Sequence, residues 1–357
     1  MNKYIPINKG NYSMETSDRD ADFEKNRGSG WDVKYQEYRR LWETLPSSLQ
    51  VSEYPLLVDI ELSSVCNLKC PMCYTITEEF GERVNTKRMD VELFKKIIDE
   101  IAGKVPAIRL SLRGEATLHP KFVELIRYAK QAGISEVSTL THGGKLKPKY
   151  VEQIIDAGID WITISVDGVW DTYEKIRKPL KFEDLYNNIK SIHEIKKKRK
   201  LVKPVIKVQG IWPAIRENPT VFYDTFAPYV DQVAFNPLID YLGNDTESDI
   251  TFEENFTCPQ QYQRLVIGAD GLVMKCSNDE ENREVIGDIR LETVHEVWHG
   301  KKMSDVRLMQ MEKNGFARSE VCRKCYLPRK TESETAVVGS RTFTVKNYVS
   351  RSQIIGQ

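Results

Sequence analysis

The chain has 357 residues, and its 52 lysines and arginines balance its 52 aspartates and glutamates. A net charge of zero gives no electrostatic basis for binding nucleic acid or an anionic membrane surface. No apolar run is long enough to span a bilayer, and the N-terminus lacks the apolar stretch of a signal peptide. The sequence therefore predicts a cytoplasmic protein with neither a nucleic-acid nor a membrane partner.

Short apolar runs alternate with longer amphipathic segments beyond the N-terminal region. Residues 1–52 are polar and predict a loose arm followed by a helix around 35–45. The apolar runs predict six strands, at 56–62, 107–112, 136–140, 161–166, 205–211 and 232–236. The amphipathic segments between them predict helices at 91–102, 121–132, 149–157, 182–198 and 218–227. This alternation indicates an α/β fold in which helices cover a parallel sheet.

Seven cysteines fall into two groups along the chain. Cys66, Cys70 and Cys73 follow the first predicted strand, and the second group is Cys258, Cys276, Cys322 and Cys325. An odd number with short spacings favours metal binding over disulfides. Three close thiolates can hold three irons of a [4Fe–4S] cluster and leave one iron open, whereas a zinc knuckle is the alternative.

The spacing CxxxCxxC followed by the aromatic Tyr74 resembles the radical S-adenosylmethionine (SAM) superfamily. The resemblance implies a partial (β/α)6 TIM-like barrel over 53–250, with its chemistry at the C-terminal ends of the strands. It also implies that the open iron binds SAM. Electron transfer from the reduced cluster then cleaves SAM to a 5′-deoxyadenosyl radical, which abstracts hydrogen from an unactivated carbon.

The resemblance extends to the ends of the next three strands. Gly114 and Glu115 match the family's Gly-Gly-Glu-Pro motif, although Arg113 and Ala116 depart from it. Thr141 stands where the family has Thr-Asn-Gly, and the fourth strand ends in Ser-x-Asp-Gly. The resemblance therefore implies these SAM-binding residues: Tyr74, Gly114, Glu115, Thr141, Ser165, Asp167 and Arg177, the last as a bidentate partner for the SAM carboxylate.

The second cysteine group resembles the shortened auxiliary-cluster domain called twitch, a relative of the SPASM domain. Four cysteines over 251–328, rather than seven, imply one auxiliary [4Fe–4S] cluster with four protein ligands, and a zinc site is the alternative. A hairpin is predicted at Asp270-Gly271, and residues 329–357 form a polar tail of unassigned role. His295-Glu-Val-Trp-His299 fits the HExxH zinc-hydrolase pattern but has no third histidine nearby in sequence.

A fully ligated second cluster implies electron transfer, and hence oxidation of the substrate. The spacing is similar to that of a radical SAM dehydrogenase acting on an aminocyclitol, so we expect a sugar, nucleotide sugar or cyclitol as substrate and a flavodoxin or ferredoxin as electron donor. The alternatives are a maturase of ribosomal peptides, an epimerase with a non-cysteine hydrogen donor, and a non-catalytic iron–sulfur protein. The position of a general base is left open among four candidates, Arg113, His142, Lys207 and Gln209.

Overall fold

The structure is a computed structural model that describes residues 3–7, 9–237, 250–349 and 355. Its strands are β1 (Tyr12–Ser13), β2 (Leu57–Ile60), β3 (Ala107–Arg109), β4 (Glu136–Thr141), β5 (Trp161–Ser165), β6 (Val205–Ile211), β7 (Gln232–Asn236), β8 (Arg264–Ile267), β9 (Leu272–Met274), β10 (Val285–Asp288), β11 (Thr331–Val338) and β12 (Arg341–Tyr348). Its helices are α1 (Ser17–Gly28), α2 (Asp32–Ser48), α3 (Glu78–Arg83), α4 (Val91–Ile101), α5 (Phe122–Gln131), α6 (Pro148–Asp156), α7 (Trp170–Ile176), α8 (Phe182–Arg199), α9 (Trp212–Ile215), α10 (Pro219–Phe226), α11 (Val294–His299), α12 (Lys301–Met311) and α13 (Glu320–Lys324).

Strands β2 to β7 pair in sequence order, each parallel to the next. Helices connect them, so the predicted partial (β/α)6 barrel is confirmed. Side chains alternate along each strand, because successive residues of a strand point to opposite faces. Val58, Ile108 and Val137 belong to the apolar core, whereas their neighbours Asp59 and Arg109 take the opposite face, inside the barrel.

The cysteine-bearing C-terminal segment extends the sheet of the barrel. Strand β8 pairs in parallel with β2, and β9 and β10 follow as antiparallel neighbours. The predicted hairpin at Asp270-Gly271 connects β8 to β9, and Gly271 has the positive φ of 88° that such a turn favours. The segment that carries the second cysteine group therefore lies beside β2, the strand that precedes the first cysteine group.

The N-terminal residues differ from the expected loose arm. Helix α1 begins after the N-cap Thr16 and buries Phe23 and Arg27, although most of its other residues are polar. The Arg27 guanidinium makes two bonds to the Glu136 carboxylate of β4, with Nε–Oε2 of 2.6 Å and Nη2–Oε1 of 2.8 Å. Because a buried ion pair fixes this helix, apolar periodicity did not predict it.

The C-terminal tail contains an element that the sequence did not predict. Strands β11 and β12 form an antiparallel hairpin, which packs beside α10. The ring of Phe343 lies 5.8 Å from that of Phe235 in β7, and the Arg341 guanidinium donates to the Met14 carbonyl over 2.7 Å. The hairpin therefore packs beside the β7 end of the sheet, where β1 pairs with β7 as the last strand.

Candidate functional site

Cys66, Cys70 and Cys73 lie on the loop that follows β2, at the C-terminal end of the barrel. They border a small apolar cluster that includes Leu68 and Ile176. Burial raises the pKa of Cys66, and raises that of Cys70 to about 11. Buried thiols of this kind ionise when iron binds them. The three side chains are therefore suited to hold an iron–sulfur cluster.

Gly114 brings the end of β3 against this loop. Its φ is +59°, and an added Cβ would lie 2.5 Å from the Ser63 carbonyl oxygen. The next residue, Glu115, donates its backbone N–H to the Val65 carbonyl over 3.0 Å. Glycine at position 114 thus allows the Glu115 carboxylate to approach Cys66. The negative charge of this carboxylate adds to the effect of burial and raises the pKa of Cys66 further.

The Glu115 carboxylate joins the ends of β3 and β4. It accepts hydrogen bonds from the Thr141 hydroxyl at 2.6 Å and from the His142 backbone N–H at 2.9 Å. The His142 ring Nε2 lies 2.9 Å from Oδ1 of Asn67, on the cysteine loop. Burial lowers the pKa of His142, and the nearby Glu115 carboxylate opposes that shift. His142 therefore links Glu115 to the cysteine loop.

Asp167 and Arg177 form an ion pair with each other. The Arg177 Nε and Nη2 atoms lie 2.7 and 2.6 Å from Asp167 Oδ2, and Asp167 Oδ1 accepts the Ile211 backbone N–H. Arg177 also opposes the rise in the pKa of Cys70, which places its positive charge near that thiol. The family resemblance implies that Arg177 binds a SAM carboxylate through two N–H groups. In this structure its Nε and Nη2 both contact Asp167 instead.

The remaining residues implied by the family resemblance lie at the end of β5 and directly after the third cysteine of the loop. Ser165 ends β5 and pairs in register with Gln209 of β6. The Tyr74 ring, directly after Cys73, lies 5.7 Å from the ring of Phe80. Carboxylates, hydroxyls and one guanidinium at consecutive strand ends provide partners for the ammonium, hydroxyl and carboxylate groups of SAM.

The four C-terminal cysteines line one small cavity. Burial raises the pKa of Cys258 to about 12 and raises those of Cys276 and Cys325. Side-chain N–H groups point at two of the sulfurs. Asn278 donates to Cys325 over 2.9 Å, and Gln310 and the Lys275 ammonium donate to Cys322 over 3.4 and 3.3 Å. Three buried thiols and the half-buried Cys325, with N–H donors around one space, fit a fully ligated iron–sulfur cluster.

A polar cavity of about 340 Å³ occupies the barrel interior. Residues of β3 to β7 line its walls, and Arg27 of α1 and Trp42 of α2 line its base. Gln260, Ser277 and Tyr326 also line it. These three residues are close in sequence to Cys258, Cys276 and Cys325, so the cavity extends to the wall that carries the auxiliary cysteines.

Lys207 faces this cavity from β6. Its side chain is buried, and its ammonium donates to Asn11 Oδ1 over 2.8 Å. Burial and then the Arg27 charge lower the pKa of Lys207 to about 7, while Asp20 and Glu24 oppose the shift. An amine with this pKa can accept and release a proton at neutral pH.

Of the other three general-base candidates, one shares the cavity with Lys207 and two do not line it. Gln209 lines the same cavity as Lys207. The Arg113 guanidinium is held in a bidentate pair by the buried Glu61 carboxylate, which suits a structural role better than that of a base. Although burial acts in the opposite direction, Glu61 raises the pKa of Arg113. His142 contacts Glu115 and the cysteine loop instead.

Sequence reasoning missed several polar residues in and behind the cavity wall, among them a buried carboxylate, two arginines and a tyrosine. Asp59, Arg109 and Arg264 lie on β2, β3 and β8, and Tyr326 follows Cys325. The available signal was a charged residue inside an otherwise apolar predicted strand, Asp59 in 56–62 and Arg109 in 107–112. In a barrel with a polar interior, such residues mark the inward face.

The HExxH pattern has a structural explanation. Glu296 forms a capping box with Thr293 at the start of α11. The His299 ring Nε2 lies 2.9 Å from the Glu53 carbonyl oxygen, and the His295 ring packs 5.1 Å from that of Tyr54. Among the described residues, no group of three or more His, Cys, Asp or Glu side chains is arranged around a single ion, and a cubane cluster spreads its thiolates more widely.

Across the described ranges, none of the helices has the length and apolar character needed to cross a membrane.

Curated relatives match only part of the chain. A "Tungsten-containing aldehyde ferredoxin oxidoreductase cofactor-modifying protein" of Pyrococcus furiosus is 30% identical over 146 residues, 35% of this chain and 38% of that protein. A "GTP 3',8-cyclase" of Chlorobaculum tepidum is 33% identical over 111 residues, 31% of this chain and 32% of that protein. The chain thus spans well under half the length of these relatives.

Solved structures share the fold over more of the chain. BtrN in complex with AdoMet and 2-DOIA has a TM-score of 0.52 and 17% identity, over 76% of this chain and 92% of BtrN. Streptococcus suis SuiB bound to precursor peptide SuiA has a TM-score of 0.58 and 14% identity, over 82% of this chain and 75% of SuiB.

Two families match the parts of the chain that carry the cysteines. Residues 60–209 match the Radical SAM superfamily, and residues 258–326 match SPASM, an iron–sulfur cluster-binding domain. The first match includes the loop after β2 and the ends of β3 to β5, and the second spans all four C-terminal cysteines. The cofactors of this protein are accordingly SAM, a SAM-binding [4Fe–4S] cluster and an auxiliary [4Fe–4S] cluster. The chain therefore belongs to the radical SAM superfamily and carries a C-terminal SPASM domain.

Proposed function

We propose that the protein is a radical SAM oxidoreductase that oxidises a small polar molecule, such as a sugar, nucleotide sugar or cyclitol, inside the barrel. One observation carries this proposal. Lys207, whose pKa is lowered to about 7, lines the polar cavity together with Gln260, Ser277 and Tyr326, which are close in sequence to the auxiliary cysteines.

Each cofactor has a set of candidate residues. Cys66, Cys70 and Cys73 would hold the SAM-binding cluster, with SAM among Glu115, Thr141, Ser165, Asp167 and Arg177; Cys258, Cys276, Cys322 and Cys325 would hold the auxiliary cluster. When bound, SAM and its cluster supply a radical that removes a hydrogen atom from carbon, and the auxiliary cluster supplies an acceptor for one electron.

Lys207 would perform the proton transfer of the reaction. Oxidation of an alcohol to a carbonyl removes one hydrogen atom from carbon, one proton from oxygen and one electron. The neutral Lys207 amine accepts the proton from the hydroxyl, and Asn11 then accepts a hydrogen bond from the resulting ammonium. Because the amine is buried and held by Asn11, it is oriented before the substrate arrives.

The size and closure of the cavity favour a small substrate over a peptide. A volume of about 340 Å³ is at the lower end of the range for small-molecule sites. Side chains of α1 and α2 line the base of the cavity, among them Arg27, which pairs with Glu136 of β4.

We place the protein in the cytoplasm, with a flavodoxin or ferredoxin as electron donor, because seven unpaired cysteines suit a reducing compartment.

Deuterium transfer tests the proposal while the substrate is still unidentified. Anaerobic holoenzyme, reductant and SAM are incubated with extracts of cells grown in deuterated medium, separated into a small-molecule fraction and a peptide fraction. We expect deuterium in 5′-deoxyadenosine with the small-molecule fraction. We also expect a product of that fraction that is lighter by two hydrogens.

Other results would favour the alternatives. Deuterium transfer from the peptide fraction alone would make the protein a peptide maturase. Return of solvent hydrogen to the same carbon, without oxidation, would indicate an epimerase with a non-cysteine hydrogen donor. Absence of 5′-deoxyadenosine from reduced holoenzyme would leave a non-catalytic iron–sulfur protein.

A further inference from the structure

Two arginines share one carboxylate on the wall of the barrel that faces the SPASM domain. Asp59 is fully buried, its Oδ1 lies 2.8 Å from Arg109 Nε, and its Oδ2 lies 3.2 Å from Arg264 Nη1. Strands β3, β2 and β8 are neighbours, so the two guanidiniums flank this carboxylate from opposite sides. One carboxylate neutralises only one of two arginines.

The other acidic side chains of this region have partners of their own. Glu61, the next inward residue of β2, is held by Arg113. Glu136 is held by Arg27, and Glu24 lies 3.6 Å from Arg39. Within the part of the chain that the structure describes, the acidic side chains of the cavity therefore leave one positive charge at the Arg109–Arg264 pair uncompensated.

The arginine pair is also fixed in place. The Arg264 guanidinium lies 5.1 Å from the ring of Trp42, which stacks it from the base of the cavity. The Arg109 side chain remains 31% exposed and that of Arg264 15%, so both retain surface facing the cavity. A rigid fork of guanidinium donors suits a planar or tetrahedral oxyanion.

We infer that the substrate carries an anionic group, a phosphate or a carboxylate, and that Arg109 and Arg264 bind it. This inference rests on the proposed function, since it assigns the substrate to the same barrel cavity. Lys207 lies on β6, three strands away from β3 across the barrel. The anionic group is thus bound at the SPASM-side wall, and the hydroxyl to be oxidised extends toward Lys207.

Binding of matched probes to the holoenzyme tests the inference. Glucose, glucose 6-phosphate and gluconate are titrated into reconstituted protein with SAM, and binding is followed by calorimetry and by thermal unfolding. We expect glucose 6-phosphate, gluconate or both to bind at least about tenfold more tightly than glucose, as one charge-assisted contact allows. A site for phosphate favours glucose 6-phosphate, and a site for carboxylate favours gluconate.

Two variants locate the binding. Arg264→Gln and, separately, Arg109→Gln should each weaken the preferred anionic probe by about tenfold. Arg199→Gln is the matched control, because Arg199 pairs with Asp156 on the exposed surface of α8, and it should bind like the wild type. Equal binding of glucose and both anionic probes by the wild type would overturn the inference, even if neither variant folds. Unchanged anion binding by a folded variant would also overturn it.

The same preparations separate this inference from the proposed function. Formation of 5′-deoxyadenosine without added substrate reports on SAM cleavage alone. If SAM is cleaved but no anionic probe is preferred, only the anionic substrate class is wrong. If SAM is not cleaved, the proposed function fails, and the binding titrations still decide whether the arginine pair is an anion site.

Discussion

The Arg113 guanidinium and the Glu61 carboxylate form a fully enclosed bidentate pair, with Nε–Oε1 of 2.7 Å and Nη2–Oε2 of 2.6 Å. Arg113 lies next to Gly114 at the end of β3, and its Nη1 donates to the Glu280 carbonyl and to Asn282 Oδ1 of the SPASM domain. One side chain therefore connects the SAM-binding end of the barrel to the auxiliary-cluster domain.

Loss of Arg113 should destabilise the protein strongly. Arg113→Met leaves the Glu61 carboxylate buried without its partner, and we expect the free energy of unfolding to fall by about 3–5 kcal/mol. Arg290→Met is the control, because Arg290 pairs with Asp288 at the surface, and it should change that free energy by less than about 0.5 kcal/mol. Anaerobic denaturant unfolding measures both, and similar effects of the two substitutions would contradict the structural role of Arg113.

Lys207→Met should abolish substrate oxidation and yet stabilise the fold. The substitution removes the proton acceptor, and we expect oxidation to fall by about 10²- to 10⁴-fold. It also removes the cost of a buried amine while losing the bond to Asn11, for a net gain on the order of 2 kcal/mol in the free energy of unfolding.

Lys207→Arg should lose the oxidation as well, because a guanidinium does not deprotonate at neutral pH. Product formation and unfolding at pH 7 check both effects, and retained oxidation in Lys207→Met would exclude Lys207 as the base.

The oxidation should follow the titration of Lys207. Its pKa is lowered from 10.5 to about 7, so the neutral, proton-accepting amine increases as the pH rises through about 7. The rate of substrate oxidation should rise with it, while 5′-deoxyadenosine formation without substrate should lack this inflection. In the unfolded chain Lys207 keeps its proton up to about pH 10.4, whereas in the folded chain it loses that proton near pH 7. The free energy of unfolding of the wild type should therefore rise between about pH 7 and pH 10, and Lys207→Met should remove that rise. A pH profile of oxidation that is flat through pH 7 would contradict the assignment.

Lys275 should set the reduction potential of the auxiliary cluster. The Lys275 side chain is fully buried, and its ammonium lies 3.3 Å from the Cys322 sulfur and bonds to Glu284 and Ser319. A positive charge beside the cluster favours the reduced form, so Lys275→Met should lower the potential by roughly 60 mV or more, a tenfold change for one electron. Spectroscopic redox titration measures it, with iron content confirming that the cluster is retained. An unchanged potential in a fully loaded variant would show that Lys275 has only a structural role.

The sequence predicted the barrel well because its strands are apolar on the helix-covered side. Residues such as Val58 and Ile108 gave short apolar runs, and all six predicted barrel strands are present. Helix α1 and the β11–β12 hairpin were not predicted. Contacts distant in sequence stabilise them, Arg27 with Glu136 and Phe343 with Phe235, and no local periodicity reports such contacts.

The candidate site was predicted in part for a similar reason. The cysteines and Glu115 belong to short local motifs, which a single sequence displays directly. The mutual pairing of Asp167 with Arg177, and the sharing of Asp59 by Arg109 and Arg264, depend on which strands become neighbours. The sequence suggested Arg113 as a base from its position at a strand end, because the ion pair with Glu61 is not visible in the sequence.

The most direct test is SAM cleavage measured together with iron content. Reconstituted wild type should contain about eight irons per chain, as two cubane clusters require, and should form 5′-deoxyadenosine when reduced with SAM. Alanine substitution of Cys66, Cys70 and Cys73 should reduce the iron to about four and abolish 5′-deoxyadenosine. Wild type with about four irons and zinc in the SPASM domain, or with no 5′-deoxyadenosine at full iron content, would contradict the proposed oxidoreductase.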